Sequence, residues 1–145
     1  MKVKIKRIDK SLPLPQYHTK GSVAFDLLSR EIVEIPPQSI GRVPVNVIVE
    51  IPPGYMLLVK DRSSTARKKG LLCTIGFIDQ DYCGEADELL TQYFNFTDQT
   101  VIIDRGERLA QAAFVRIDQA EWEEVKTMKH NKTRGGFGST GGYTK

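Results

Sequence analysis

The sequence has few of the residues that mark membrane-embedded, disulfide-bonded or zinc-binding proteins. Its 145 residues include only two cysteines, Cys73 and Cys83, which are too few for a disulfide framework and lack the CxxC spacing of zinc ligands. No apolar run approaches the roughly 20 residues that a transmembrane helix requires. The first residues alternate charged and apolar side chains, unlike a signal peptide. We therefore expect a single cytoplasmic domain that does not bind a membrane.

The sequence also has little net charge. Twenty-one Lys and Arg residues against 18 Asp and Glu give +3, too small an excess to predict a nucleic-acid-binding protein. The charge is unevenly distributed, because residues 71–104 contain seven acids and no Lys or Arg, whereas residues 126–145 contain five basic residues and no acid. Two interpretations remain open. The pattern is either an acidic surface with a solvated basic tail, or a divided site for a metal or water and an anionic ligand.

Short β-like segments separated by proline and glycine dominate the chain. Apolar residues alternate over 43–51, which predicts one half-buried strand, and the nearly continuous apolar run at 71–78 predicts a buried strand. Further strands are predicted at 31–35, 55–60, 101–103 and 109–117, and helical turns only at 64–69 and 119–128. This pattern is typical of an all-β sandwich or barrel with a short or absent helix.

The C-terminal segment is rich in glycine. Residues 135–145 contain five glycines, and Phe137 and Tyr143 are their only large apolar side chains, so ordering the segment has a high entropic cost. We therefore expect a β domain over residues 1–130 followed by a flexible arm over residues 131–145.

The arm also contains a short glycine motif. Gly136–Gly141 matches G-x-G-x-x-G, but no strand leads into it and no helix can follow so near the C-terminus, which excludes a dinucleotide fingerprint. Glycine amides, the hydroxyls of Ser139 and Thr140 and the guanidinium of Arg134 are nevertheless suited to phosphate oxygens. The alternative is a disordered tail with an incidental aromatic residue.

Two polar groups flank predicted strands. Asp61-Arg62-Ser63-Ser64 follows a strand, where its arginine and hydroxyls are suited either to phosphate binding or to capping the helical turn at 64–69. Gln111 lies in the predicted strand 109–117, and its amide either points inward as a phosphate or water ligand or is solvated.

Residues 76–85 are the most informative stretch. An apolar strand runs directly into Asp79, so we expect this carboxyl group at the edge of the core, partly desolvated and suited to act as a general base. Tyr82 follows three residues later, before a glycine, as in a hairpin whose rim holds a planar ligand. The alternative is a polar hairpin in which Asp79 and Asp81 only form the turn.

Taken together, these stretches resemble the trimeric dUTP diphosphatase (dUTPase) family. The similarity extends over about residues 21–142 and follows the order and spacing of the five motifs of that family. The matching segments are Ala24–Leu27, Asp61–Ser64, Gly76–Glu85, Gly106–Gln111 and Arg134–Gly141.

The resemblance implies a β-clip jelly roll that assembles as a homotrimer, with active sites at subunit interfaces. It implies hydrolysis of dUTP to dUMP and pyrophosphate, with Mg²⁺ held mainly by the triphosphate. Asp79 would then orient and deprotonate the water that attacks the α-phosphorus. Tyr82 would pack on the deoxyribose and exclude a 2′-hydroxyl, while backbone groups of the hairpin, at Gly76 and Ile78, would read the uracil edge.

The resemblance also assigns the phosphate side of the site. Arg62, Ser63 and Ser64 would contact the phosphates, Gln111 would hold the α-phosphate or the water, and Asp26 would order the phosphate and metal side. The arm would close over the substrate through Arg134, Phe137, Gly138, Ser139 and Thr140, with Phe137 stacked on the base.

The sequence departs from the family pattern at several positions. Cys83 replaces a basic residue after the tyrosine, the segment 71–76 is about two residues shorter than in many relatives, and 85–88 is more polar. Two rival functions are a dCTP deaminase, or bifunctional deaminase–diphosphatase, of the same fold and a non-catalytic nucleotide-binding regulatory protein. The aspartate–tyrosine pairing favours the diphosphatase over the first rival. The joint presence of Asp79, Gln111 and Arg134 argues against the second.

Overall fold

The computed structural model describes residues 1–130 and 132–136, which are almost entirely β-strand and loop. In this part of the chain, no helix is long and apolar enough to cross a membrane. The predicted all-β class with a short or absent helix is confirmed, and the structure has one short helix. The elements are β1 (Ile5–Arg7), β2 (Phe25–Leu28), β3 (Val33–Ile35), β4 (Ile40–Pro44), β5 (Val47–Val49), β6 (Tyr55–Asp61), α1 (Thr65–Lys69), β7 (Leu71–Cys73), β8 (Phe77–Ile78), β9 (Leu90–Asn95), β10 (Val101–Ile103) and β11 (Arg108–Arg116).

The strands form antiparallel sheets around one apolar core. A four-stranded sheet has the order β2-β11-β6-β8, a three-stranded sheet has the order β4-β9-β7, and β1-β5 and β3-β10 form two-stranded sheets. The alternation along β9, with Thr91, Tyr93 and Asn95 buried, turns one face of this strand inward. Every sheet contributes to the core, through Leu27, Leu57, Ile35, Ile103, Val43, Tyr93, Val47 and Val49.

The alternating segment at 43–51 forms two strands, so the prediction of one strand was wrong. Between β4 and β5, Asn46 has φ of 70°, a left-handed conformation that asparagine adopts more readily than most residues. Its buried amide accepts a hydrogen bond from the Asp9 N–H at 2.6 Å and donates one to the Asp9 carbonyl oxygen at 3.0 Å. The period-two pattern does not show this break because the residues on both sides of it are buried.

The apolar run at 71–78 also differs from its prediction. β7 pairs with β9 and β8 pairs with β6, so the segment passes from one sheet to another instead of forming one buried strand. Phe77 is 68% exposed and Leu72 is 45% exposed. Hydrophobicity alone therefore misassigned a crossing segment whose apolar side chains are in part on the surface.

The helical turn predicted at 64–69 is present as α1, whereas the one predicted at 119–128 is absent. α1 ends at Gly70, whose φ of 67° favours glycine, and a Cβ there would lie 2.0 Å from Thr97 Cγ2. Residues 118–130 are exposed and form neither helix nor strand, and Trp122 is 93% exposed. Without a surface to pack against, the few apolar residues of this segment do not stabilise a helix.

Candidate functional site

A buried carboxylate, Asp26, lies where three elements meet. Asp26 is opposite Gln111 in the β2–β11 pairing and is only 7% exposed. One carboxylate oxygen lies 3.1 Å from Arg62 Nε, and the other lies 2.9 Å from His18 Nε2 and 3.4 Å from Arg108 Nη1. A carboxylate with so little solvent needs such partners, and Asp26 in turn fixes the two arginines at the end of the sheet.

These arginines line a cavity of about 400 Å³, the basic pocket. Its four cationic side chains face a single carboxylate, Glu107, which binds Lys69 at 2.9 Å. An excess of positive charge in a concave site is suited to a polyphosphate. The lining residues are Arg62, Ser64, Thr65, Lys68, Lys69, Gly106, Glu107, Arg108 and Leu109.

The segment Asp61–Ser64 places two of its three predicted phosphate-binding residues in the lining of the basic pocket. Arg62 and Ser64 line the basic pocket, whereas Ser63 is exposed in the turn before α1. Ser64 is the residue before α1, but its hydroxyl makes no capping hydrogen bond, so the capping interpretation was wrong. The Ser64 hydroxyl therefore lies at the pocket without a competing role at the helix end.

Thr65 anchors the start of α1 to β11. The Thr65 hydroxyl donates to the Leu109 carbonyl oxygen at 2.7 Å, and the same oxygen accepts the Arg62 N–H at 3.0 Å. The Thr65 N–H donates to the Arg62 carbonyl oxygen at 2.9 Å. Thr65 is 3% exposed, so these bonds form without competition from water and hold one wall of the basic pocket.

Replacing Thr65 by valine is expected to destabilise the protein by about 1–2 kcal/mol, because it removes a buried hydrogen bond at nearly constant volume. The measurement is urea unfolding of Thr65→Val beside Thr100→Val, which makes the same change at an exposed position. Equal stability of the two variants would contradict the anchoring role.

Gln111 lies at the inner edge of the same region. In β11 it is paired with Asp26 on one side and Lys60 on the other, and it is partly buried. Its amide nitrogen is 3.4 Å from the Asp61 carbonyl oxygen. The structure therefore brings Gln111, Asp26 and Arg62 together at this end of the sheet.

The turn at Arg105 and Gly106 borders the basic pocket and is held by contacts with residues that do not line the pocket. Arg105 Nη2 lies 2.6 Å from the Asp9 carboxylate, and Gly106 has φ of 82°, which favours glycine. Hydrogen bonds from the Ser11 side chain and backbone, together with the Arg105 guanidinium, hold the pKa of the partly exposed Asp9 carboxyl well below its usual range. Asp9 therefore stays ionised and paired with this turn.

A second cavity of about 280 Å³, the rim pocket, is lined by β8 at the edge of the four-stranded sheet and by β4 and β9 of the three-stranded sheet. It contains three residues predicted from the sequence, Ile78, Asp79 and Tyr82, and three that were missed, Arg42, Leu90 and Gln92. The missed residues belong to or border β4 and β9, where no local motif marks them. The predicted Gly76 lies in the adjacent segment, and its carbonyl oxygen accepts the Val59 N–H at 2.8 Å. The remaining lining residues are Ile75 and Phe77.

Asp79 is exposed in the single chain, so the prediction of a partly desolvated carboxyl group was wrong for the chain alone. It follows β8 directly, and the Tyr82 N–H donates to its carbonyl oxygen at 3.3 Å in a tight turn. The apolar strand before Asp79 is only two residues long and half exposed, so it buries less than its composition suggested.

Asp79 and the basic pocket lie toward opposite ends of β6. Ile78, next to Asp79, is paired with Leu57, whereas Arg62 follows the last residue of β6. Arg62 lies five positions after Leu57, which in an extended strand corresponds to about 17 Å. One chain therefore does not bring Asp79 to its own basic pocket.

The remaining predicted residues belong to the C-terminal arm. Arg134 is exposed and lines neither of the two pockets. Phe137, Gly138, Ser139 and Thr140 lie outside the described residues. Within residues 1–130 and 132–136, no group of three or more His, Cys, Asp or Glu side chains is placed to hold a metal ion by itself.

Comparison with known proteins gives one consistent result. The sequence profile of the dUTPase family matches residues 10–141. The deoxyuridine 5′-triphosphate nucleotidohydrolase of Dictyoglomus turgidum is 40% identical over 148 residues, covering 97% of this chain and 99% of that protein. The Brucella melitensis protein of the same name is 43% identical over 143 residues, covering 91% and 87%.

Solved structures agree with the sequence comparison. The dUTPase of Streptococcus mutans superposes with a TM-score of 0.75 at 34% identity, covering 81% of this chain and 98% of that one. The dUTPase of Staphylococcus bacteriophage 80alpha with dUPNHPP has a TM-score of 0.85 at 26% identity, covering 97% and 98%. The jelly-roll fold that the resemblance implied is confirmed, and the chain belongs to the dUTPase family.

Proposed function

We propose that this protein hydrolyses dUTP to dUMP and pyrophosphate at a site composed of the basic pocket of one chain and the rim pocket of another. The observation that carries the proposal is the basic pocket beside Asp26 and Gln111, which has the charge and donors that a triphosphate requires. The curated relatives are named for the same reaction.

Asp79 acts as the general base in this proposal. Its carboxylate accepts a proton from a water, and the water oxygen forms a bond to the α-phosphorus. The bond from that phosphorus to the bridging oxygen of the β-phosphate breaks, and its electron pair leaves with pyrophosphate. Such an in-line displacement depends on positioning and charge neutralisation, with no covalent intermediate.

The basic pocket stabilises the charge that develops on the leaving pyrophosphate. The guanidinium groups of Arg62 and Arg108 are fixed by Asp26 before substrate binds, so little reorganisation is needed. The Ser64 hydroxyl adds a donor from the start of α1, with Ser63 beside it in the same turn. Gln111 holds the α-phosphate or the attacking water.

The rim pocket takes the nucleoside. Tyr82 packs on the deoxyribose and leaves no room for a 2′-hydroxyl, and backbone groups at Gly76 and Ile78 read the uracil edge. From the arm, Arg134, Gly138, Ser139 and Thr140 bind the terminal phosphates and Phe137 stacks on the base. Closing the arm excludes bulk water from the reacting groups.

Magnesium is the metal that we propose for the reaction. The two oxygens of Asp26 are already engaged by Arg62, His18 and Arg108, so the chain itself offers little of a coordination shell, and the triphosphate would supply most of the ligands. When bound, Mg²⁺ neutralises phosphate charge and orients the triphosphate. Asp26 lies beside the basic pocket, where we propose that the phosphates and the metal bind.

The assembly that we propose is a homotrimer. Along β6, Leu57 beside Asp79 and Arg62 at the basic pocket are about 17 Å apart, and this separation supports a site shared between copies. A second copy that places its rim pocket against this basic pocket completes the site. The cytoplasmic location stays a prediction from the sequence.

Steady-state kinetics with the deoxynucleoside triphosphates tests the function. We expect kcat/KM for dUTP to exceed that for dCTP, dTTP and UTP by at least about 100-fold, with dUMP and pyrophosphate as products. Removing divalent metal with EDTA should abolish turnover, and added Mg²⁺ should restore it. Release of ammonia from dCTP would indicate the deaminase instead, and nucleotide binding without turnover would indicate the regulatory protein.

A further inference from the structure

Glu88 is a charged residue in a mostly enclosed position. It lies just before β9, and only 14% of its side chain is exposed. Its Oε1 accepts two hydrogen bonds of 2.8 Å, one from Arg30 Nε and one from the Asn46 backbone N–H. Enclosed carboxylates require such compensation, and here both donors converge on one oxygen.

Both donors belong to well-fixed segments. Asn46 is 1% exposed, and its side chain is bound in both directions to the backbone of Asp9, which in turn binds Arg105. The hydrogen bond to Glu88 raises the pKa of Arg30, which keeps this guanidinium charged and paired. The Glu88 carboxylate therefore binds the segment before β9 to Asn46. Through Asp9, Asn46 is connected to Arg105 in the turn beside the basic pocket.

The same residue contacts the rim pocket through its main chain. The Tyr82 hydroxyl donates to the Glu88 carbonyl oxygen at 3.2 Å, and Tyr82 lines the rim pocket together with Asp79. Tyr82 is 38% exposed, so core packing does not fix its ring completely. The position of the Glu88 main chain therefore determines where the Tyr82 ring lies over the pocket.

We propose that Glu88 is a positioning residue for Tyr82, and that its bonds to Arg30 and Asn46 set the discrimination between deoxyribose and ribose. This inference rests on the proposed function, in which Tyr82 packs on the sugar. Without the negative charge of this carboxylate, the hydrogen bonds from Arg30 and from the Asn46 N–H weaken and the segment before β9 shifts. A shift of less than 1 Å in the ring admits a 2′-hydroxyl, because discrimination by steric exclusion depends on close contact.

The test compares kcat/KM for dUTP and for UTP in Glu88→Gln and in wild-type protein. We expect the dUTP-to-UTP ratio to fall about tenfold, mainly through weaker exclusion of UTP, while kcat for dUTP changes less than about threefold. Glu50→Gln is the matched control, because it makes the same change in an exposed ion pair with Lys4. Its ratio should equal that of wild type.

A double-mutant cycle tests whether Glu88 affects the dUTP-to-UTP ratio through the Tyr82 hydroxyl. Tyr82→Phe removes the hydroxyl that binds the Glu88 carbonyl oxygen, so adding Glu88→Gln to it should lower the ratio less than Glu88→Gln does alone.

If Glu88→Gln does not fold, Arg30→Lys takes its place, because it keeps the charge and loses the planar Nε donor. An unchanged ratio in a folded variant, or full additivity with Tyr82→Phe, overturns the inference about Glu88 alone. A wild-type protein that does not hydrolyse dUTP overturns the proposed function and this inference with it.

Discussion

Replacing Asp79 by asparagine should lower kcat for dUTP on the order of 10³-fold, because an amide of the same size cannot accept the proton of the attacking water. Binding of the triphosphate should change little, since we propose that its charge is balanced by the cationic side chains of the basic pocket and not by Asp79. The measurements are single-turnover hydrolysis of dUTP and calorimetric titration with dUPNHPP.

Asp98→Asn is the control for this experiment. Asp98 is also exposed and also lies in a turn, between β9 and β10, but outside both pockets. It should hydrolyse dUTP at the wild-type rate. Hydrolysis by Asp79→Asn at the wild-type rate would exclude Asp79 as the base.

Deleting residues 134–145 should lower kcat for dUTP at least about 100-fold and leave the melting temperature unchanged. The deletion removes Arg134 and the glycine motif, which we propose to close over the triphosphate. It does not touch the core, whose last strand, β11, ends at Arg116, and residues 118–130 are exposed. The measurements are steady-state kinetics and differential scanning calorimetry of the same preparation.

A shorter deletion of residues 143–145 is the matched control, because it leaves the whole motif Arg134–Gly141 in place. It should retain nearly full turnover. A fall in melting temperature after the longer deletion would show that the arm is structural, and full turnover would remove it from the site.

The strands that follow a simple pattern were predictable. Tyr55–Asp61 and Val101–Ile103 are bounded by glycine, proline or polar residues, and alternate apolar side chains in them, such as Leu57, Val59 and Ile103, face one core. The helical turn at α1 was also predictable, since Gly70 ends it in the conformation that favours glycine. In these segments the local conformational preference of the residues and the burial of their side chains favour the same structure, so the sequence alone was enough to predict them.

Other features depend on contacts between distant residues and could not be predicted. The break at Asn46 requires the backbone of Asp9, and the exposure of Phe77 follows from the passage of 71–78 between two sheets. Arg42 and Gln92 meet in the rim pocket at 3.1 Å although they lie 50 residues apart. A single sequence carries no sign of such pairs.

The candidate site also has features that the sequence predicted and features that depend on contacts between distant residues. Five motifs identify the residues that surround a nucleotide in this family, but their order along the chain does not say which of them meet within one copy. Asp26, Arg62 and Gln111 meet because β2 and β6 both pair with β11. Asp79 lies at the other end of β6, so its exposure in one chain follows from the sheet register.

A crystal structure of the protein with dUPNHPP tests the composite site most directly. We expect the phosphates in the basic pocket of one copy, against Arg62 and Arg108. A water should lie within hydrogen-bond reach, roughly 2.6–3.2 Å, of the Asp79 carboxylate of another copy and in line with the α-phosphorus. An α-phosphorus more than about 10 Å from every Asp79 carboxylate, beyond the reach of one bridging water, would contradict the account.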